Sequence, residues 1–543
     1  MNSSFQIEGN IVDVVAKRVF KGIITVESKK ITSIEEKETS NNQFIMPGFV
    51  DAHVHVESSM LIPSEFARLA VVHGTVSTIS DPHEIGNVLG IDGVKYMIDN
   101  GKKVPFKFCF GAPSCVPATY FETAGAEIGV HEIEELMAMD EIGYLAEMMN
   151  FPGVLNRDET VFQKIAIAQK HNKPVDGHAP GLRGEDARKY IEAGISTDHE
   201  CFTKEEALDK LKFGMKILIR EGSAAKNFEA LIELLNEFPD EIMFCSDDKH
   251  PNDLVLGHIN QLCARAIAKG IEPMKVIRAT TYNVVQHYRL DVGLLQAGDL
   301  ADFIIVNDLK EFEVKATYIN GQKVAENGKS FIESVEEKPV NNFNCEKISV
   351  EDIRVPIDGE KLNVIEVENG QLITKKVEFP FQNHSEHLKS DTANDILKIV
   401  VVNRYHLAKP AVAFVKNFGL KQGAIAGSVA HDSHNIIAVG VDDEDIVQAI
   451  NLLVDYEGGV SLSNGTEQHI LPLPVAGLMS NEDGYKVAGE YEKLDQRAKA
   501  LGSTLASPYM TLSFCALLVI PELKLSDKGL FDGNKFEFIP LFE

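Results

Sequence analysis

Two histidines separated by one valine lie near the start of the chain, in the stretch MPGFVDAHVHVESS at residues 46–59. The run GFVDAHVHV is apolar and β-branched enough to predict a strand. Because side chains two residues apart on a strand point to the same face, His53 and His55 are expected to converge. Paired imidazoles bind borderline metals such as zinc, iron or manganese. Since a bare H-x-H pair also occurs by chance, a metal site requires further ligands.

More histidines and carboxylates follow at intervals along the next 200 residues or so of sequence. They are Asp81, His83, Glu84, Glu147, His178, His199, Asp247 and Asp248, with one arginine, Arg220, among them. Imidazoles and carboxylates without a thiolate suit Zn, Mn, Fe, Co or Ni, and the oxygen-rich character favours Mn or Fe. Metal chemistry then depends on whether the fold brings these residues together.

Eight short apolar segments carry these residues, with helical sequence between most of them. The segments read FVDAHVH, TVSTISDPHE, FKFCFGAPS, GYLAEMMN, PVDGHAPG, ISTDHECF, MKILIREGS and IMFCSDDKHP. Alternating strands and helices are typical of a parallel sheet, and eight units predict an α/β TIM (β/α)8 barrel over residues 49–290. Catalytic groups of that fold lie at the carboxyl ends of the strands, where these side chains are expected to meet.

Composition limits the partners of the protein. A chain of 543 residues is too long for one ordinary core, so two or three domains are expected. The formal net charge of -28 would repel nucleic acid and anionic membranes, so neither is expected as a partner. The seven cysteines include no C-x-x-C pair, which is typical of reduced cytoplasmic thiols. No export signal and no apolar run of ~18 residues is evident, so a cytoplasmic protein is predicted.

The regions on either side of the barrel differ from it in pattern. Residues 1–48 contain short alternating segments that predict antiparallel strands. After about Val335 a charged, asparagine-rich connector begins, followed by alternating strands and helices. This change predicts a separate α+β domain over residues 341–543.

The order of the candidate ligands resembles the amidohydrolase superfamily. Its metal-dependent hydrolytic barrels carry H-x-H on the first strand, a bridging carboxylate on the fourth, histidines on the fifth and sixth, and an aspartate on the eighth. The resemblance implies a ligand set of His53, His55, Glu147, His178, His199 and Asp247. The segment at residues 279–324 also resembles the superfamily's return from the barrel to a small sandwich. It implies a small β-sandwich domain formed by residues 1–48 and 291–335.

Longer blocks are similar to the adenine deaminase family within that superfamily. They are MPGFVDAHVHVESSML, SDPHEIGNVLG, LAEMMNFPGV, DGHAPGL, STDHE, REGSAA, FCSDDKHP and, at residues 427–435, GSVAHDSHN. The similarity implies hydrolytic deamination of adenine to hypoxanthine and ammonia, in purine salvage or catabolism. It also implies two divalent metal ions, with Mn2+ expected and Fe2+ or Zn2+ as alternatives. Adenine is then the expected partner, and the protein is expected to be a homodimer.

Hydrolysis at C6 of adenine would need groups that carry protons. Two metals sharing a hydroxide would bring the pKa of bound water towards neutrality. Asp247 is the candidate acceptor of the water proton, and Glu84 is preferred over Asp248 as the group that protonates the purine edge. Alternatively, Glu84 is a first-turn acid of a helix, and Asp248 forms a hydrogen bond to a ligand histidine.

Further polar residues are expected around the substrate. The candidates for substrate binding are Asp81, His83, Arg220 and Asp248. Arg220 could instead pair with a strand-end carboxylate, and a buried salt bridge from Arg220 to Glu147 is the alternative to a metal-bridging role for Glu147.

The AHDSHN block in the C-terminal domain is a candidate lid. His431, Asp432 and His434 are polar residues beside the apolar NIIAVGV, and we expect their loop to face the barrel mouth and exclude water. The alternative is a polar turn before a strand.

Two other functions fit parts of the pattern. A different amidohydrolase, acting on a cyclic amide or amidine, would use a similar barrel. Many binuclear enzymes of that kind bridge their metals with a modified lysine on the fourth strand, where this chain has Glu147. A non-enzymatic scaffold of the same fold should have lost ligands, whereas all six expected positions are filled. A metal-dependent hydrolase is therefore expected.

Overall fold

Eight parallel strands alternate with helices in the computed structural model, which describes residues 4–381 and 386–543. The strands span Phe49–Val54, Thr75–Ser80, Lys107–Ala112, Ile142–Met148, Val175–Gly177, Thr197–Asp198, Lys216–Arg220 and Ile242–Cys245. The helices span Pro63–Ala70, His83–Leu89, Ile91–Gly101, Val130–Met137, Phe151–Leu155, Glu159–Lys170, Gly184–Glu192, Lys204–Lys212, Phe228–Leu231, Pro251–Leu256, Ile259–Ala268, Pro273–Ala279 and Tyr282–Tyr288. Short 3-10 helices span Val56–Ser59, Val71–His73, Ile232–Asn236 and Val350–Ile353. Seven of the eight apolar segments of the sequence contain a whole strand, and the strand Ile142–Met148 begins one residue before the segment GYLAEMMN.

Backbone hydrogen bonds close these strands into a TIM-type barrel. The first five strands pair in chain order as one parallel sheet, and the last three pair as another. Parallel bridges between Val175 and Ile195 and between Val54 and Asp247 join the two sheets. The strand residues are almost all buried because helices cover the outside and side chains fill the inside. The carboxyl ends of all eight strands therefore meet at one mouth.

The strands before and after the barrel share one sheet. They span Ser4–Asp13, Arg18–Glu27, Lys30–Glu36, Phe44–Pro47, Phe303–Val306, Val314–Ile319, Gln322–Glu326 and Lys329–Ser330. Phe303–Val306 pairs with Phe44–Pro47, which makes a single eight-stranded sheet. Residues from both halves, including Ile24 and Phe303, form one buried core. The separate packed sheets of a β-sandwich are therefore not confirmed.

The C-terminal region is built on a second eight-stranded sheet. Strands of this region span Val355–Pro356, Lys361–Val367, Thr374–Pro380, His387–Leu388, Ile396–Val402, Ala411–Lys416, Ala424–Gly427, Ile436–Gly440, Gly459–Asn464, Glu467–Pro472, Leu523–Ser526, Gly529–Asp532 and Glu537–Phe538. Its helices span Asp443–Asp455, Gly484–Ala500 and Pro508–Phe514. The first helix begins with three acidic residues, which favour a helix amino terminus, and its apolar side packs on the sheet.

The C-terminal region lies against the barrel mouth. Asn435 Nδ2 donates to the carbonyl of Thr123 at 2.9 Å, and the backbone N–H of Ala224 donates to Met510 Sδ at 3.2 Å. The cavity at the strand ends is consequently lined by both regions. In the described residues, no helix has both the length and the apolar character that crossing a bilayer requires.

Candidate active site

His53, His55 and Asp247 come together where the barrel closes. His53 Nε2 lies 3.2 Å from His55 Nε2, and Asp247 Oδ1 lies 3.5 Å and 3.2 Å from these two nitrogens. The strand ends at Val54, but His55 still points into the mouth because its backbone N–H donates to the carbonyl of Asp247 at 3.3 Å. The three side chains are buried and converge on one point.

Glu147 lies between two pairs of imidazoles. Its Oε1 is 3.3 Å from His55 Nε2 and 3.4 Å from His83 Nδ1. Its Oε2 is 2.7 Å from His178 Nδ1 and 3.1 Å from His199 Nε2. The two carboxylate oxygens thus face opposite sides, one towards the first two strands and the other towards the fifth and sixth. The six residues assigned as ligands from the sequence are all brought together.

These residues fit a divalent metal site. Several groups of ligand atoms each lie within 4.8 Å of one another, among them His53, His55 and Asp247; His53, Glu147 and His199; His55, Asp81, His83 and Glu147; and His178, His199 and Glu200. His83 Nε2 and His178 Nε2 are buried without a hydrogen-bond partner, which is costly for imidazoles that have no other role. Nitrogen and oxygen donors in a buried cluster suit Zn, Mn or Fe.

The two carboxylates of the cluster, Glu147 and Asp247, are stabilised in their charged form by neighbouring basic side chains. Burial raises the pKa of Glu147, but the imidazoles of His178 and His199 outweigh it and hold the pKa well below its ordinary value. Burial likewise raises the pKa of Asp247, and the Arg220 guanidinium reverses the effect, so that pKa also lies well below its ordinary value. Both carboxylates are therefore ionised at neutral pH, as metal ligands must be.

Asp81 and His83, which the sequence suggests as substrate-binding residues, lie beside the predicted ligands. Asp81 Oδ2 is 3.0 Å from His83 Nδ1, and Asp81 Oδ1 accepts the backbone N–H of His83 at 3.1 Å. Asp81 therefore orients His83 in the structure, while His83 itself lines the cavity. A direct substrate contact is thus better supported for His83 than for Asp81.

Arg220 is occupied by two carboxylates. Its Nη2 donates to Glu200 Oε2 at 2.9 Å, its Nη1 also bonds to Glu200, and the same Nη1 donates to Asp247 Oδ2 at 2.7 Å. Arg220 therefore pairs with strand-end carboxylates, as one of the two alternatives proposed from the sequence has it. Its partners are Glu200 and Asp247, and the alternative of a salt bridge to Glu147 is not seen. Glu200 is a site residue that sequence reasoning missed. Its position directly after His199 in the STDHE block was the available signal.

Glu84 is held by the C-terminal region. His431 Nδ1 lies 2.6 Å from Glu84 Oε1, and His434 Nε2 bonds to Glu84 Oε2. Glu84 lies in the first turn of the helix His83–Leu89, as the alternative role of a first-turn acid requires. The same side chain also lines the cavity. Asp432 Oδ1 is 3.6 Å from His83 Nε2. The AHDSHN loop thus lies at the barrel mouth, where a lid would have to be.

Asp248 also lines the cavity, and its side chain is bonded to a serine. Ser58 Oγ donates to Asp248 Oδ1 at 2.5 Å, whereas the sequence suggested a hydrogen bond from Asp248 to a ligand histidine. Burial raises the pKa of Asp248, and the negative charge of Asp247 raises it further. The pKa of Asp248 therefore lies above that of an ordinary surface aspartate.

Comparisons with known proteins agree with this architecture. Residues 44–324 match the model of the amidohydrolase family, and residues 371–537 match the adenine deaminase C-terminal domain. Proteins named adenine deaminase from Methanosarcina mazei and Sulfurovum sp. are 52% and 55% identical over 98% of this chain and 99% of their own lengths. The adenine deaminase of Salinibacter ruber is 52% identical over 100% of both chains. The chain belongs to the adenine deaminase family, whose catalytic barrel is that of the metal-dependent amidohydrolases.

Proposed function

We propose that the protein hydrolyses adenine to hypoxanthine and ammonia. The observation that carries the proposal is the full-length similarity to three relatives named adenine deaminase, with about half of all residues identical. In the reaction, a C6–O bond forms as the C6–N6 bond breaks, N1 gains a proton, and the exocyclic nitrogen leaves as ammonia. The site must therefore hold a water, accept its protons and deliver them to nitrogen.

We further propose that the cofactor is a pair of divalent metal ions, Mn2+ in the first instance with Fe2+ or Zn2+ as alternatives. Their ligands would be His53, His55, Glu147, His178, His199 and Asp247. The opposite directions of the two Glu147 oxygens support a bridging carboxylate. When bound, such ions supply a water whose pKa is near neutrality.

The proton carriers are assigned from their positions. Asp247 contacts His53 and His55 and is ionised, so it can accept a proton from an attacking water. Glu84 lines the same cavity and is bonded to His431 and His434. Burial raises the pKa of Glu84, but the two imidazoles outweigh it and hold that pKa well below its ordinary value. Burial lowers the pKa of His431, but the charge of Glu84 outweighs it and raises that pKa to about 9, so His431 carries the proton that the pair can pass on. We assign Glu84 to the purine edge, with Asp248 and His83 as additional hydrogen-bonding groups.

The loop with His431, Asp432 and His434 is proposed as the lid. These residues are buried and contact the barrel side chains Glu84 and His83, so they can keep bulk water from the reacting atoms. The seven cysteines are free thiols, which supports a reducing, cytoplasmic location for the enzyme. A homodimer remains a prediction.

The direct test is to load the protein with Mn2+, add adenine and measure ammonia and hypoxanthine together. Equimolar release of both products is expected, and Glu147→Gln protein treated in the same way provides the control for contaminating activity. Absence of turnover with Mn2+, Fe2+ and Zn2+ would reject the substrate assignment.

A further inference from the structure

Three apolar side chains of the C-terminal region line the catalytic cavity. Leu372, Phe514 and Leu517 are buried and share the cavity with the charged strand ends of the barrel. Most of the remaining lining consists of imidazoles, carboxylates and Arg220. We refer to Leu372, Phe514 and Leu517 as the apolar wall. The cavity is therefore charged on the barrel side and apolar where the wall lies.

A buried lysine joins the two chain segments that carry the apolar wall. Lys524 Nζ donates to the carbonyl of Leu372 at 2.6 Å and to the carbonyl of Phe514 at 2.9 Å. Both acceptors are neutral, whereas the buried Lys398 and Lys210 are each bonded to a carboxylate. A buried charge bonded to neutral carbonyls destabilises the fold, and burial lowers the pKa of Lys524 to about 8. Groups perturbed in this way concentrate at functional sites.

Other bonds tie the same segments to each other and to the barrel. Thr374 Oγ1 donates to the carbonyl of Leu523, next to Lys524, at 2.7 Å. On the barrel side, the backbone N–H of Ala225 donates to the carbonyl of Gly370 at 3.2 Å. The wall is thus anchored at Lys524 and at the loop after the seventh barrel strand.

The apolar wall is also in contact with the proposed catalytic machinery. The ring of Phe514 stacks on the imidazole of His431, with centroids 5.0 Å apart and an angle of 27° between the planes. His431 in turn contacts Glu84. A displacement of Phe514 would therefore be felt by the group assigned to the purine edge.

We propose that the apolar wall binds one face of the purine ring, and that Lys524 is the positioning residue that holds the wall in place. The inference rests on the proposed function and identifies the part of the chain that selects a flat heteroaromatic substrate. A purine has a polar edge and two apolar faces. The charged strand ends can bond to the edge, but a ring face requires apolar contact.

Lys524→Met tests the positioning role, because methionine fills similar space without donating to the two carbonyls. We expect KM for adenine to rise at least about tenfold, with a smaller change in kcat and with wild-type metal content. Lys398→Met is the matched control. Lys398 is equally buried in the same region but is bonded to Asp443 and the carbonyl of Ile353, so its loss should lower Tm and leave KM unchanged.

Leu372→Ala provides a second test that leaves Lys524 in place, and calorimetric titration with adenine separates binding from turnover. Weaker binding in Leu372→Ala supports the wall even if Lys524→Met does not fold. Adenine turnover with unchanged KM in folded variants would overturn the wall alone. Binding that depends on the wall but releases no ammonia would support the wall and reject the proposed function. Neither binding nor turnover in the metal-loaded wild-type protein would reject both.

Discussion

The backbone N–H of Asp247 donates to the carbonyl of His53 at 2.9 Å, so the last barrel strand is bonded to the first at the level of the predicted ligands. Asp247 has a left-handed backbone with φ of 54°, a conformation that costs a non-glycine residue about 1–3 kcal/mol. The ladder bonds on both sides of the residue hold it there. Barrel closure therefore sets the direction of the Asp247 carboxylate towards the two histidines.

His55→Ala should lower metal content together with activity. His55 Nε2 lies 3.2 Å from Asp247 Oδ1 and 3.3 Å from Glu147 Oε1, so its removal takes an imidazole nitrogen from the centre of the proposed ligand cluster. Elemental analysis of purified protein measures the change. His171→Ala, which alters a half-buried histidine bonded to Glu134 on the barrel exterior, is the control and should retain its metal. Full occupancy in His55→Ala would contradict the assignment of this ligand.

Glu147→Gln should lose the two-metal stoichiometry and turnover while the fold is largely retained. The amide has one oxygen and a donor in place of two anionic oxygens, so it cannot serve both imidazole pairs and bridge the two proposed metals. Metal titration gives the stoichiometry, and thermal unfolding reports the fold. Two tightly bound metals in this variant would show that the bridge is formed by another residue.

Glu84→Gln should lower kcat by about 10²–10⁴-fold with metal content unchanged, because proton transfer by a positioned side chain contributes about that much. The glutamine is nearly isosteric and can still bond to His431 and His434, so the loop should stay docked. The measurement is steady-state kinetics on protein of known metal content. Activity close to wild type would leave Glu84 with its helix and docking contacts alone.

Lys210→Met should destabilise the protein by about 3–5 kcal/mol, the usual cost of leaving a buried charge unpaired. Lys210 is bonded to the buried Asp198 and donates to the carbonyl of Ala179 at 2.7 Å. Asp198 Oδ1 in turn accepts the backbone N–H of Ala179 at 3.2 Å and that of Glu200 at 3.1 Å. Ala179 lies just after the fifth barrel strand, and Glu200 lies just after the sixth.

Urea unfolding measures the effect of Lys210→Met, and the exposed Lys212→Met on the same helix is its control. An unfolding free energy equal to that of the control would show that the buried pair contributes little. A fall in metal content alongside the loss of stability is also expected, because His178 and His199 lie next to the affected backbone.

The sequence predicts those parts of the site that depend on local pattern. His53 and His55 converge because of strand periodicity, and the eight strand segments follow from apolar runs that alternate with helices. The partners of Arg220 were not predictable in the same way. They depend on how the ends of neighbouring strands are placed in the fold, and the structure has Glu200 and Asp247 in contact with the guanidinium.

Pairing between strands that are far apart in the sequence is also not determined by local sequence pattern. Phe44–Pro47 pairs with Phe303–Val306 across the whole barrel sequence, which joins two predicted groups of strands into one sheet. Lys524 likewise has no motif around it. Its importance follows from the two carbonyls it bonds, which come from distant segments of the C-terminal region.

The stability cost of Lys524 should decrease as the pH rises. Burial lowers its pKa in the folded protein from 10.5 to about 8. Below pH 8 the lysine is protonated in both the folded and unfolded states, so the full cost of burying the charge is present. Between about pH 8 and pH 10.5 the unfolded chain binds more protons than the folded one, and the stability of the folded state therefore increases with pH. A shift of this size corresponds to about 3 kcal/mol in total.

Urea unfolding of the wild type and Lys524→Met at pH values from 7 to 10 isolates this contribution, because other titrating groups cancel in the difference. The unfolding free energy of the wild type minus that of the variant should increase with pH by up to about 3 kcal/mol, with most of the increase above pH 8. Lys421→Met, at an exposed lysine of the same region, should show a difference that is constant with pH. A constant difference for Lys524→Met would instead mean that the two carbonyls of Leu372 and Phe514 stabilise the ammonium enough to offset its burial.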